Sequence, residues 1–328
     1  MRSSKAYSPG RGRVLGLCLA IGVVACNWSG QAQAQTLAQG FSVERYYSAA
    51  PGAAWMVMDD LNLAGKLGAA VSFSAGYARN PYRVATADGT RPLSVVRNQA
   101  STDIGMALLY DRYRVYLNID SPIYQTGQSG TVNGYQYAAP AVDVGRFPDK
   151  VTDFRFGFDA RWLGDIVAPF RLGLGAQLIV PSGERARYFS DGTYRAMVRL
   201  LFAGDSSVIN YAGHLGVHVR PRDDSPIPGG PHGSELLYGV ALGPRLALGV
   251  DGSAVAVGPE IYGATAFNAF LGKTTTALEA LLSARFESKN ARGALMRFKL
   301  AVGDGLNPEF GAAEWRCIVA AELLGRVD

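Results

Sequence analysis

Between Asp153 and Trp162 the chain reads Asp-Phe-Arg-Phe-Gly-Phe-Asp-Ala-Arg-Trp, with apolar or aromatic residues at even positions and polar or small ones between them. A period of two describes a strand with one apolar face. Phe154, Phe156, Phe158 and Trp162 cover one side, while Asp153, Arg155, Asp159 and Arg161 occupy the other. That second face is too charged for the inside of a soluble sandwich, and it suits a strand with lipid outside and a polar lumen inside. The pattern recurs. Ile209, Tyr211, Leu215, Val217 and Val219 alternate with Asn210, His214, His218 and Arg220; Tyr113, Val115, Leu117 and Ile119 with Arg114, Tyr116, Asn118 and Asp120. Met296, Phe298, Leu300 and Val302 alternate with Arg297 and Lys299, and Trp315, Cys317, Val319, Ala321 and Leu323 with Glu314, Arg316 and Glu322.

Extended along the chain, this reading predicts about twelve strands, over 66–78, 96–110, 113–122, 152–163, 169–180, 194–204, 208–220, 234–248, 254–267, 276–287, 293–303 and 314–324. Each is near the ~9–11 residues that a tilted membrane strand needs. Short connections, such as Asp111-Arg112 and Gly249 to Ser253, alternate with long ones, of which Gln125 to Lys150 lies in the longest. Outer-membrane barrels place short turns on the periplasmic side and long loops outside. The prediction is therefore an all-β fold, an antiparallel up-and-down transmembrane β-barrel over residues 66–325, with both termini periplasmic. Tyr110, Tyr113, Trp162, Phe170, Tyr194, Phe202 and Tyr211 are expected to form an aromatic girdle beside the short turns. Residues 35–65 contain Trp55-Met56-Val57-Met58, apolar on both sides, which fits an extra strand, a plug or a periplasmic lead-in equally well.

The first residues supply a route to a membrane. Arg2, Lys5, Arg11 and Arg13 precede an apolar stretch from Val14 to Ala25, and Ala32-Gln33-Ala34 is a small-x-small cleavage pattern. Residues 1–34 thus read as a signal peptide; lipidation at Cys26, after Val23-Val24-Ala25, is the competing reading. Loss of the four basic residues changes the charge balance from 32 Lys plus Arg against 27 Asp plus Glu to 28 against 27. A nearly neutral mature chain gives no argument for nucleic acid. Cys317 is left without a partner and is expected to face lipid.

Candidate chemistry concentrates on the predicted lumen face. Arg155, Asp159, Arg161, Arg195, Arg199, His214, His218, Glu260, Glu279 and Arg297 are the expected pore-lining residues. They either select solutes or pair across a narrow interior and close it. His214 and His218 share one face, yet no third metal ligand can be assigned, and no cofactor is expected. His232-Gly233-Ser234 beside an external loop would serve a barrel-borne lipid or peptide hydrolase, but no base and orienting partner can be identified. No catalytic role is therefore expected. A structural barrel or narrow passive channel for small polar solutes is the primary reading.

Several short motifs carry a family resemblance. Ala54-Trp55, Asp59-Asp60-Leu61-Asn62-Leu63, Val180-Pro181-Ser182-Gly183, Gly233-Ser234-Glu235-Leu236-Leu237-Tyr238-Gly239 and Val257-Gly258-Pro259-Glu260-Ile261-Tyr262-Gly263 resemble the N-terminal barrel of OmpA-type outer-membrane proteins of myxobacteria and relatives. The resemblance implies residence in the outer membrane of a diderm bacterium, contact with lipid and lipopolysaccharide, and insertion by the barrel-assembly machinery. In that family a peptidoglycan-binding domain follows the barrel. Here the sequence ends at Gly325-Arg326-Val327-Asp328, and no such domain is expected in it.

Overall fold

The computed structural model describes residues 36–63, 67–84, 86, 90–140, 151–166, 168–206, 208–221, 233–249, 252–290, 293–309 and 311–327. The signal-peptide reading, Cys26 and His232 of the hydrolase reading lie outside them. Twelve antiparallel strands form a closed barrel: β1 (Leu67–Val84), β2 (Leu93–Tyr110), β3 (Tyr113–Thr126), β4 (Phe154–Leu163), β5 (Arg171–Val180), β6 (Arg195–Ser206), β7 (Ile209–Val219), β8 (Glu235–Ala247), β9 (Ala254–Ala266), β10 (Thr276–Lys289), β11 (Leu295–Asn307) and β12 (Trp315–Val327). Pairing of β12 with β1, from Trp315 opposite Arg79 to Val327 opposite Leu67, leaves no sheet edge to be satisfied. All twelve expected strands are present.

The two faces follow the alternation. Phe156 is 46% exposed on the outside of β4, whereas its neighbour Arg155 is 2% exposed on the inside. Leu117 of β3 and Leu178 of β5 stand opposite Phe156 on its two flanks, so the apolar surface continues around the barrel. Cys317 is exposed on the same outer face. At the short-turn end, Tyr110 pairs with Tyr113 across Asp111-Arg112, where Asp111 takes a φ of 53°, a left-handed conformation that a short polar side chain tolerates. Tyr110, Tyr113, Trp162 and Phe170 are exposed around this rim. Tyr194 corrects the expected girdle. It immediately precedes β6, which starts at the long-loop end, so it belongs to the opposite rim with Trp315 and Phe267.

Strands β1, β2 and β3 exceed their predicted lengths, all at the long-loop end. There Tyr82, Val84, Leu93, Val95 and Val96 are buried against Phe41 and Val43, and a hairpin adds Val132 and Tyr137. The hairpin pairs Gly130–Val132 with Tyr135–Tyr137 through Asn133-Gly134, whose φ values of 51° and 82° suit an Asn-Gly turn. An apolar cap outside the barrel therefore extends strands that the membrane alone would end.

Residues 37–63 run down the inside of the barrel. The Ala38 amide donates to the Gln136 carbonyl in the cap, Trp55, Met56, Val57 and Met58 are buried among inward residues of the wall, and Leu61 and Leu63 pack with Ala70, Leu109 and Leu324 near the short turns. Among the described residues, the segment thus enters from the long-loop end, opposite to the side expected for the N-terminus. The described N-terminal residues, from Leu37, sit at the long-loop end, and β12 finishes at the short-turn end. The phase of turns and loops is unaffected, because β1 still starts among the short turns.

Two Tyr-Gly dipeptides show how the wall accommodates this segment. Tyr238 lies opposite Gly263 and Tyr262 opposite Gly239 in the β8–β9 pairing. The Tyr238 ring covers Gly263 across the strands, a pairing that compensates for the missing side chain. Gly239 has a different role. A Cβ built there would stand 2.4 Å from Met58 Cε, so a larger residue would require the Met58 side chain of the internal segment to shift.

Candidate functional site

The lumen is the site, and the threaded segment occupies it. All ten expected pore-lining residues point inward and are buried. The structure places them against the segment and against each other.

At the long-loop end, Arg45 of the segment donates to Glu235 at 2.7 Å, and Arg220 donates to both Glu235 at 3.1 Å and Asp191 at 2.7 Å. Asp191 also accepts the Ser42 backbone amide at 2.8 Å. Burial alone would raise the Asp191 carboxyl, but Arg220 and Arg195 outweigh it and hold the group well below the usual carboxylate range. Arg195 completes the ring with Asp153 at 2.8 Å. His218 lies beside Glu235, with Nδ1 3.4 Å from Oε2 but outside hydrogen-bond geometry, and edge-on to Tyr47.

In the middle, Glu260 accepts the amides of Met56 at 2.8 Å and Val57 at 2.9 Å, and the Ser283 hydroxyl at 2.7 Å. One wall carboxylate thus holds two consecutive peptide groups of the segment. Arg155 donates to the Ser48 hydroxyl at 2.6 Å and to Asp103 at 3.1 Å. Glu279 accepts from Arg316 at 3.0 Å and from Tyr262 at 2.6 Å, and Arg316 reaches Glu44 of the segment at 2.6 Å. Asp59 of the segment receives Arg114 at 2.8 Å and Arg199 at 3.1 Å, with Asp159 bound to Arg114 at 2.6 Å behind it.

Toward the short turns the wall binds backbone carbonyls instead. Lys299 donates to Ala53 O at 2.8 Å and Trp55 O at 3.0 Å, Arg297 to Gly52 O at 3.1 Å and Ala53 O at 3.0 Å, and Arg161 to Leu63 O at 2.5 Å. Carboxylates facing amides and cations facing carbonyls satisfy polar groups of a segment that beyond Leu37 joins no sheet and turns back on itself, the Ala49 amide donating to the Met56 carbonyl at 2.9 Å.

Two cavities among the described residues flank the segment's apolar layer. One of about 50 Å³ lies in the long-loop half, beside Tyr46, Asp103, Arg155 and Arg316. The other, of about 390 Å³, opens at the short-turn mouth, beneath Trp55. The layer of Trp55–Met58 packed on Tyr262, Leu281 and Ile318 lies between them.

His214 and His218, the two described histidines, lie in the lumen wall. Neither nitrogen of His218, nor Nδ1 of His214, has a hydrogen-bond partner. Sequence reasoning missed the segment's own contribution: Arg45, Ser48 and Asp59 carry no periodic signal. Arg114 was recoverable, since it occupies the inward phase of β3 just as Arg155 does in β4. Asp59, Glu235 and Glu260, each in one of the short motifs singled out in the sequence, take part in seating the segment.

No family model matches the chain. No curated protein is similar to it in sequence. Among solved structures, an outer membrane channel from Pseudomonas putida F1 superposes with a TM-score of 0.52 at 10% identity, covering 80% of this chain and 97% of its own. The NanC porin gives a TM-score of 0.44 at 9% identity over 77% of this chain and 98% of its own, and a Pseudomonas aeruginosa FadL homologue gives 0.40 at 8% over 88% and 98%. What is shared is the architecture, and the chain is a twelve-stranded β-barrel of outer-membrane type, closed around its own N-terminal segment.

Proposed function

We propose that the protein is an outer-membrane channel for small polar solutes whose passage is gated by residues 44–63. The observation that carries this reading is how the segment is held. Beside the apolar packing of Trp55–Met58, its seat includes discrete hydrogen bonds and ion pairs to the wall, centred on Glu260, Asp59 and Lys299. Such contacts can be exchanged for water one at a time when the segment shifts. Once exposed, the same charged wall offers polar solutes a hydrated path. The likeness to an outer membrane channel supports this reading, as does the lipid-compatible outer face. The family resemblance and its implied outer-membrane partners fit it as well.

Planar-bilayer recording on refolded full-length protein tests the proposal. The native barrel is expected to be mostly closed with small, brief openings, and Lys299→Ala is expected to lengthen them. If both proteins run as intact heat-modifiable barrels yet remain silent at every voltage, the channel reading fails and a purely structural barrel replaces it.

A further inference from the structure

The cavity at the short-turn mouth has an unusual charge balance. Glu287 accepts from three guanidiniums at once: Arg245 at 3.0 Å, Arg285 at 3.1 Å and Arg297 at 3.0 Å. Arg297 also reaches Glu322 at 3.1 Å, but that carboxylate is shared with Lys299 at 2.7 Å. Four cations therefore share two carboxylates, while Asp60 and Lys289 add one charge of each sign to the cavity lining. Arg171, on the far side of the cavity, is neutralised by Asp205 at 2.7 Å and relieves none of this excess.

Arg285 is the most exposed to the imbalance. Its Nε is committed to Glu287 and its Nη2 to Asn210 at 2.5 Å, while buried Nη1 has no partner. Its guanidinium lies over the Trp55 ring, 4.9 Å from the centroid, so one face is fixed and the donor edge is held in place. Enclosed Nη1 is out of a ligand's reach, and it is the surplus of cationic groups lining the mouth that an anion offsets. The cavity volume of about 390 Å³ falls within the ~300–1,000 Å³ of small-molecule sites. Planar guanidinium groups beside an aromatic face favour a planar acid group.

We propose that this mouth is a binding site for small carboxylate-bearing solutes, with Arg285 and Arg245 as the recognising groups and Trp55 as one wall. The inference deepens the channel reading by naming its solute class. Binding at equilibrium requires no conduction, so the two stand or fall separately.

Isothermal titration calorimetry on the full-length protein in detergent tests it, with succinate as the probe and succinamide as an uncharged molecule of nearly the same shape. Succinate is expected to bind, and succinamide at least tenfold more weakly. Arg285→Gln is expected to weaken succinate at least tenfold. Arg245→Gln, at a partly exposed side chain, guards against loss of folding and is expected to weaken it several-fold. Glu287→Gln is expected to tighten binding, because it removes the carboxylate that competes with the ligand. Equal affinity for succinate and succinamide would overturn the proposal, as would succinate binding unmoved in both arginine variants. Inorganic phosphate binding as tightly as succinate would replace a carboxylate site by a general anion site and overturn the stated specificity. Conductance without succinate binding defeats this inference alone, and succinate binding in a silent barrel defeats only the channel.

Discussion

Replacing Glu260 with glutamine tests the seat of the internal segment with almost no change of shape. The carboxylate accepts two adjacent amides, from Met56 at 2.8 Å and Val57 at 2.9 Å. A glutamine carbonyl can keep one of them, but its NH₂ then faces the other as donor against donor. One charge-assisted hydrogen bond is lost and a buried amide is left unsatisfied, a cost of roughly 2–3 kcal/mol. At about 1.4 kcal/mol per factor of ten, the unseated population should rise roughly 30- to 150-fold. The readout is a thiol at Val57, which is buried when the segment is seated. Val57→Cys is placed in a Cys317→Ser background, because Cys317 is exposed on the outer face. Labelling by a small water-soluble maleimide should accelerate by the same factor when Glu260→Gln is added, while heat-modifiable gel mobility reports an intact barrel. An unchanged labelling rate in a folded variant would refute the claim that Glu260 holds the segment.

Other consequences can be checked with similar preparations. Phe156→Arg places a guanidinium against hydrocarbon at a cost of up to roughly 2–4 kcal/mol and should impair insertion into vesicles. Arg155→Phe should insert, yet it removes the cation from Asp103 and Asp120, and losing one partner of a buried pair costs roughly 3–5 kcal/mol. The lumen variant should therefore lower unfolding stability at least as much as the lipid-face variant, contrary to what the alternation alone suggests; a folded Arg155→Phe barrel of native stability would contradict this. Because the Asp191 carboxyl is depressed in the folded protein, its stabilisation is complete above its unfolded value, about 3.9, and is lost as pH falls through the folded value. Proteolysis near Ser42 should stay slow from neutral to weakly acid pH and accelerate only below the ordinary carboxylate range, and Asp191→Asn should be fast throughout. Cysteines at Leu37 and Gly134 should both be labelled from outside intact cells and one at Gly252 should not; the reverse would invert the barrel.

Strand number, strand order and the inside or outside phase of each residue were legible in the chain. They are local properties: a pleated backbone turns successive side chains to opposite faces, so Phe156 and Arg155 declare their sides without knowledge of any neighbour. Turn chemistry is equally local, as at Asp111 and Asn133-Gly134. The contents of the lumen are different. Whether Arg155 and Glu260 line open water or grip a polypeptide depends on residues 107 and 204 positions away in the chain. A segment of turns and bends, in a strand only at Thr36–Leu37 among its described residues, leaves no period of its own to read, which is why 35–65 fitted a strand, a plug or a lead-in equally well. The overlong β1, β2 and β3 had the same cause, since the cap that extends them draws Phe41 and Val43 from that segment. The excess of guanidinium at the short-turn mouth also arises only when β8, β10 and β11 converge on Glu287. Alternation fixes which way a side chain points, and barrel closure decides what it meets there.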